Sequence, residues 1–218
     1  MDRWKKYSFS RCLHMVKKVT ILLMILYASL YSNDIFVGLS NANTINSVQS
    51  SYEVTETDGF SEYGSAATGS SGVSTPSIML GYTMDIDKIN SHIDPAIGYS
   101  LFMESISYTN VLFLEVPLLY RFSLWNQAFG VGPEFKYLYF LNTKIISGND
   151  NVNVYSNKSA QSYGAKLMLE KKSFDAFIFY SHLNNAEIDV DEIDGQVRKQ
   201  VHVNFDGNYM GIGIQWKF

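Results

Sequence analysis

Ser181, His182, Glu187 and His202 are the residue types from which a hydrolase site is built: nucleophile, base and orienting acid. In an extended chain neighbouring residues point to opposite faces, so Ser181 and His182 cannot pair on one surface. A serine site there would need Ser181, His202 and Glu187 to converge at one rim. His92 falls in a predicted short turn, where a solvated imidazole is the expectation. The run Glu187, Asp189, Asp191, Glu192, Asp194, Gly195 has the composition of a calcium loop. Its spacing misses the EF-hand pattern, because Ile193 stands at the fifth position from Asp189. A solvated acidic loop is expected instead, with divalent bridging to phosphates as the alternative. No catalytic, metal or cofactor site is assigned from these residues.

The elements that would have to position such groups begin after an export segment. Lys17 and Lys18 precede an apolar run from Val19 to Tyr31, followed by Ser32, Asn33 and Asp34. A basic stretch before a largely apolar run of 13 residues reads as a secretory signal peptide over residues 1–32, the run being too short to span a bilayer as a helix. An uncleaved anchor is the alternative, and Met15 is a second candidate start. The single cysteine, Cys12, leaves with this segment, so disulfides, thiolate metal sites and cysteine nucleophiles are excluded. From Asn33 onward 11 basic residues face 20 acidic ones, a net charge of −9. With nothing basic beyond the N-terminus, a nucleic-acid binder is disfavoured.

Residues 33–218 alternate with period two. Met210, Ile212, Ile214, Trp216 and Phe218 fall on one face of the last segment, with Tyr209, Gly211, Gly213, Gln215 and Lys217 on the other. Eight runs of this kind are predicted as strands, near 34–46, 75–85, 92–106, 111–124, 128–142, 159–171, 174–186 and 203–218. The run 174–186 does not declare its faces, since Phe174 to Tyr180 is apolar on both. Links after the second, fourth and sixth runs are short, whereas 47–74, 143–158 and 187–202 are long. Short and long connections in alternation predict an all-β, eight-stranded, antiparallel up-and-down barrel with tight turns at one end and long loops at the other.

The bulky face opposes one rich in glycine and serine, which suits a narrow interior. That small-residue face carries Glu104, Glu115, Glu134 and Glu170 against Arg121, Lys136, Lys166 and Lys217. Four charges of each sign, pointing inward, would neutralise one another in a polar plug. Tyr120, Phe122, Trp125, Phe129, Trp216 and Phe218 collect at the tight-turn level, as an interfacial aromatic girdle does. These patterns predict a transmembrane barrel. The alternative, a soluble secreted barrel of the lipocalin type, would turn Leu112, Leu114, Leu118, Ile212 and Ile214 inward around a ligand.

The segments 211–218 (Gly-Ile-Gly-Ile-Gln-Trp-Lys-Phe) and 113–122 (Phe-Leu-Glu-Val-Pro-Leu-Leu-Tyr-Arg-Phe) resemble those of small Gram-negative outer-membrane barrels, the OmpA/OmpX-like eight-stranded proteins. The first is similar to the terminal strand read by the barrel-assembly machinery, with Trp216 and Phe218 as the assembly signal. The resemblance implies a cell outer-membrane location, without the periplasmic domain that OmpA carries. It also implies lipid and lipopolysaccharide as surroundings, and a structural or surface-interaction role through the extracellular loops. A non-enzymatic protein without cofactors is expected. A lipid-modifying barrel enzyme is the alternative, although the His-x-Ser arrangement of outer-membrane lipid A deacylases is not among the patterns found. In the loop 47–74, Tyr52, Phe60 and Tyr63 either contact a surface ligand or lie back on the membrane.

Overall fold

The computed structural model describes residues 34–57, 62–105, 107–147, 150–155, 158–194 and 197–218. The export segment with Cys12, Met15 and the junction at residues 32 and 33 lies outside the described residues. So do Phe60, Gly195 and the side chains of Tyr52, Tyr63, Asp191, Glu192 and Asp194. The strands are β1 (Asp34–Thr44), β2 (Val48–Thr57), β3 (Glu62–Ser71), β4 (Ser77–Ile86), β5 (Ser91–Ile93), β6 (Ala96–Met103) and β7 (Ser107–Leu124). They continue with β8 (Gln127–Ser147), β9 (Asp150–Tyr155), β10 (Ser159–Glu170), β11 (Phe174–Asn184), β12 (Glu187–Asp194), β13 (Val197–Asn204) and β14 (Gly207–Lys217).

Eight of these close a ring. Antiparallel pairs run β1–β4–β6–β7–β8–β10–β11–β14 and return from β14 to β1. No barrel strand is left as an open edge, which a sheet in hydrocarbon requires. β5 continues into β6 around Asp94 and Pro95, so the pair acts as one interrupted strand. β7 turns into β8 through Trp125 and Asn126, both at positive φ (50° and 59°), the backbone of a two-residue hairpin turn. Both chain ends of the ring meet at this tight-turn end, where the Phe218 amide donates to the Ile35 carbonyl at 2.8 Å.

At the opposite end the long connections are not loops. β2 and β3 form one hairpin, β12 and β13 another, and β13 pairs with β2 to make a four-stranded sheet beyond the ring. β9 extends a third hairpin from β8. The acidic run 187–194 is therefore a strand, in which Ile188 alternates with Glu187 and Asp189 and is fully buried. Val201 and Val203 of β13 are buried with it, in the same core as an aromatic cluster. There Phe102 lies 5.9 Å from Phe140, 5.3 Å from Phe205 and 6.0 Å from Tyr209, ring centre to ring centre.

The interior of β11 settles which face of that strand points in. Asp175, Phe177, Phe179, Ser181 and Leu183 are buried, while Ile178 and Tyr180 are exposed. Two phenylalanines fit a narrow lumen because Gly213 stands opposite Phe177 and Gly211 opposite Phe179 on β14. A methyl group built on either glycine would overlap the facing ring. Gly213→Ala should therefore cost about 1–3 kcal/mol in urea unfolding, and adding Phe177→Leu should return only the part due to the ring, because the Leu39 carbonyl oxygen also lies 2.7 Å from the added methyl.

Candidate functional site in the lumen and on the outer wall

The eight lumenal charges expected from the alternation do not form one network, because they lie at different heights along their strands. At mid-height, Glu115 of β7, Glu134 and Lys136 of β8, and Lys166 of β10 make a closed quartet. Lys166 Nζ lies 2.5 Å from Glu115 Oε1 and 3.7 Å from Glu134 Oε2. Lys136 Nζ lies 3.1 Å from Glu115 Oε2 and 3.0 Å from Glu134 Oε1. Register makes room for them: Lys166 faces Gly132, and Glu134 faces Gly164. Each ammonium also sits over a ring, Lys166 at 4.1 Å from the Phe177 centre and Lys136 at 4.2 Å from that of Phe179. Two charges of each sign, all inside the barrel, neutralise one another locally.

A second set forms the floor at the tight-turn end. Arg121 Nε binds Glu170 Oε2 at 2.9 Å, and its guanidinium also pairs with Asp85. Lys217 Nζ binds Asp175 Oδ1 at 2.8 Å, and Gln215 Nε2 donates to Asp175 Oδ2 at 3.0 Å. His92 belongs here, not to a solvated turn: it is 1% exposed, with Nε2 at 3.5 Å from Asp94 Oδ2 and Nδ1 at 3.8 Å from Glu170 Oε1. The inward face of β6 continues through Ala96 and Asp94 to His92 two residues at a time, which carries the imidazole into the lumen. Glu104 stands apart at the other end of its strand. Its carboxylate accepts from Ser71, Ser105 and Ser107 at 3.2, 2.8 and 3.4 Å.

The hydrolase residues are spread over three surfaces. Ser181 is buried in the lumen, and His182 lies on the outer wall of the same strand. His202 pairs with Glu187 at 3.5 Å on the exposed outer face of the β12–β13 hairpin. They do not converge at a rim.

The outer wall is apolar. Along β7 Leu112, Leu114, Val116, Leu118 and Tyr120 are exposed between buried neighbours, and Met210 and Ile212 are exposed on β14. Turning these residues inward, as a lipocalin-type barrel requires, would reverse every strand's burial pattern. Aromatic residues bound the wall at both ends. Tyr120, Trp125, Trp216 and Phe218 are exposed near the tight turns, and Phe122 stacks on Phe129 at 5.5 Å. Tyr99, Tyr137, Tyr139, Tyr163 and Tyr180 form a second exposed set toward the hairpins, not anticipated from the sequence. Phe129 and Tyr139 mark the two levels on β8. At the rise of a tilted strand, their separation along the barrel axis is about 25 Å, the height of an outer-membrane apolar band.

The chain is an eight-stranded transmembrane β-barrel.

No family model matches the chain, and no curated protein matches it in sequence. Among solved structures it is similar to the N-terminal β-barrel domain of Pseudomonas aeruginosa OprF, at 10% identity and a TM-score of 0.46, covering 86% of this chain and 98% of that one. It is also similar to neisserial surface protein A (12%, 0.44, covering 84% and 97%). For the outer membrane protein OprG of P. aeruginosa the values are 12%, 0.40, 86% and 97%. The fold follows from the ring and the apolar belt of the chain itself, and these likenesses add nothing to it.

Proposed function

We propose that the protein is an exported, non-enzymatic barrel of the bacterial outer membrane, with a lumen plugged by side chains. It acts structurally or through its extracellular hairpins. The observation that carries this reading is the filling of the lumen in three layers. Phe102, Phe140, Phe205 and Tyr209 pack at the mouth, the Glu115–Glu134–Lys136–Lys166 quartet fills the middle, and the Arg121–Glu170–Asp85 and Lys217–Asp175 pairs close the floor. Between quartet and mouth lies a space of about 40 Å³ bordered by Ser40, Ser77, Ser162 and Ser181. That holds a few water molecules and no solute.

What remains for interaction is outside. The belt meets lipid, with lipopolysaccharide at the hairpin end as the expected neighbour, and Glu187 and Asp189 on the exposed hairpin face offer a surface ligand charged groups. Trp216 and Phe218, outward at the end of the closing strand, suit recognition by the barrel-assembly machinery. The test combines two measurements on the full chain. The refolded protein should migrate differently on SDS gels with and without boiling. Liposomes carrying it should swell in a disaccharide no faster than empty ones. Swelling well above the empty control would sink the plugged lumen. A soluble band that does not shift would sink the membrane reading.

A further inference from the structure

The bulky outer wall has a hollow of about 250 Å³, bordered by Val131, Leu167, Ile178, Tyr180 and Ile212 around Ala165. Register explains it. Ala165 lies between Pro133 of β8 and Tyr180 of β11, so two small outward residues adjoin where the flanking rows carry Val131, Leu167 and Ile178. Tyr180 does not fold across the gap, because its hydroxyl donates to Asn208 Oδ1 at 2.9 Å. The same oxygen takes His182 Nδ1 at 2.9 Å, and the imidazole rests on the Tyr163 ring at 5.3 Å between centres. An amide oxygen only accepts, so His182 Nδ1 carries a proton, and in the neutral imidazole Nε2 is the acceptor.

Two costs meet at this place. An apolar hollow facing hydrocarbon loses dispersion contacts unless a chain fills it. A polar cluster on a lipid-facing wall needs a polar partner at its level. His182 is two residues, about 7 Å, beyond Tyr180 toward the hairpin end. One amphiphile satisfies both, with an acyl chain over Ala165 and its headgroup end at His182 and Asn208. We propose that this part of the outer wall seats one lipid of the surrounding membrane, selected by a headgroup hydroxyl or amide that donates to His182. The proposal rests on the membrane-barrel reading and continues its lipid belt.

The test uses the full chain refolded into phosphatidylcholine vesicles, with spin-labelled galactosyl diacylglycerol or spin-labelled phosphatidylcholine as probe. The wild-type barrel should immobilise the galactosyl lipid about three- to tenfold in preference, the worth of one hydrogen bond. His182→Ala should abolish the preference and leave chain immobilisation in place. Ala165→Phe, which fills the hollow from the lipid side, should lower immobilisation of both probes. Equal immobilisation of both lipids by the wild type, or a preference untouched by either variant, overturns the proposal. So does a wild-type dimer, trapped by cross-linking, that Ala165→Phe makes monomeric, because the hollow then belongs to a second copy. Gel shift on boiling is checked for every variant. Its loss in the wild type counts against the membrane reading, whereas its retention without lipid preference counts against the seat alone.

Discussion

Replacing Lys166 by methionine should remove about 3–5 kcal/mol from the unfolding free energy of the refolded barrel, the range for breaking a buried ion pair from one side. Lys166 is 2% exposed and touches both glutamates of the quartet. Without it Glu115 and Glu134 share one cation, Lys136, in a closed interior with little water to screen them. Methionine keeps most of the volume and the contact with Phe177, so the loss isolates charge rather than packing. The double variant Glu115→Gln, Lys166→Met leaves Glu134 against Lys136 and should recover most of the stability. Urea titration in vesicles, followed by tryptophan fluorescence, reads all three proteins. A midpoint unchanged in Lys166→Met would mean that the middle of the lumen is hydrated, and the plug would have to be abandoned.

The ring itself was legible because each barrel strand spends one face on lipid and the other on a packed lumen, so period-two alternation runs through it. Strand β11 hid its faces. Phe177 and Phe179 point into the lumen beside Ile178 and Tyr180 pointing out, and only the glycines opposite on β14 distinguish them. The hairpins have no strand signature in the sequence for a related reason. β3 runs Glu-Tyr-Gly-Ser-Ala-Ala-Thr-Gly-Ser-Ser, with low intrinsic strand preference, and it is a strand because β2 supplies its partner. Of the candidate site, the quartet residues were visible as inward charges. Their division from the floor set was not, since it depends on stagger between strands. Asp85, Asp94, Asp175 and His92 were missed. For His92 the signal was present, as the face that holds Gly98 and Ala96 leads two residues at a time to Asp94 and His92.

Leu118→Arg should cost about 2–4 kcal/mol, whereas Leu124→Arg should cost about 0–1. Both leucines are exposed, and both belong to β7. They differ in depth: Leu118 lies near midway between the two aromatic levels, which β7 meets at Phe122 and Leu112, and Leu124 adjoins the turn at Trp125. On a water-facing wall neither change would matter by more than about 0.5 kcal/mol, since a surface arginine is solvated wherever it sits. Only a hydrocarbon neighbour makes the cost depend on height along the strand. The pair of variants, titrated with urea in the same vesicles, thus measures what the wall faces without reference to any likeness of fold. Equal and small costs would return the barrel to water and remove the basis for a lipid at Ala165. A steep difference would fix both faces of the barrel by one physical rule: an unpaired charge is expensive inside for want of its partner, and outside for want of water.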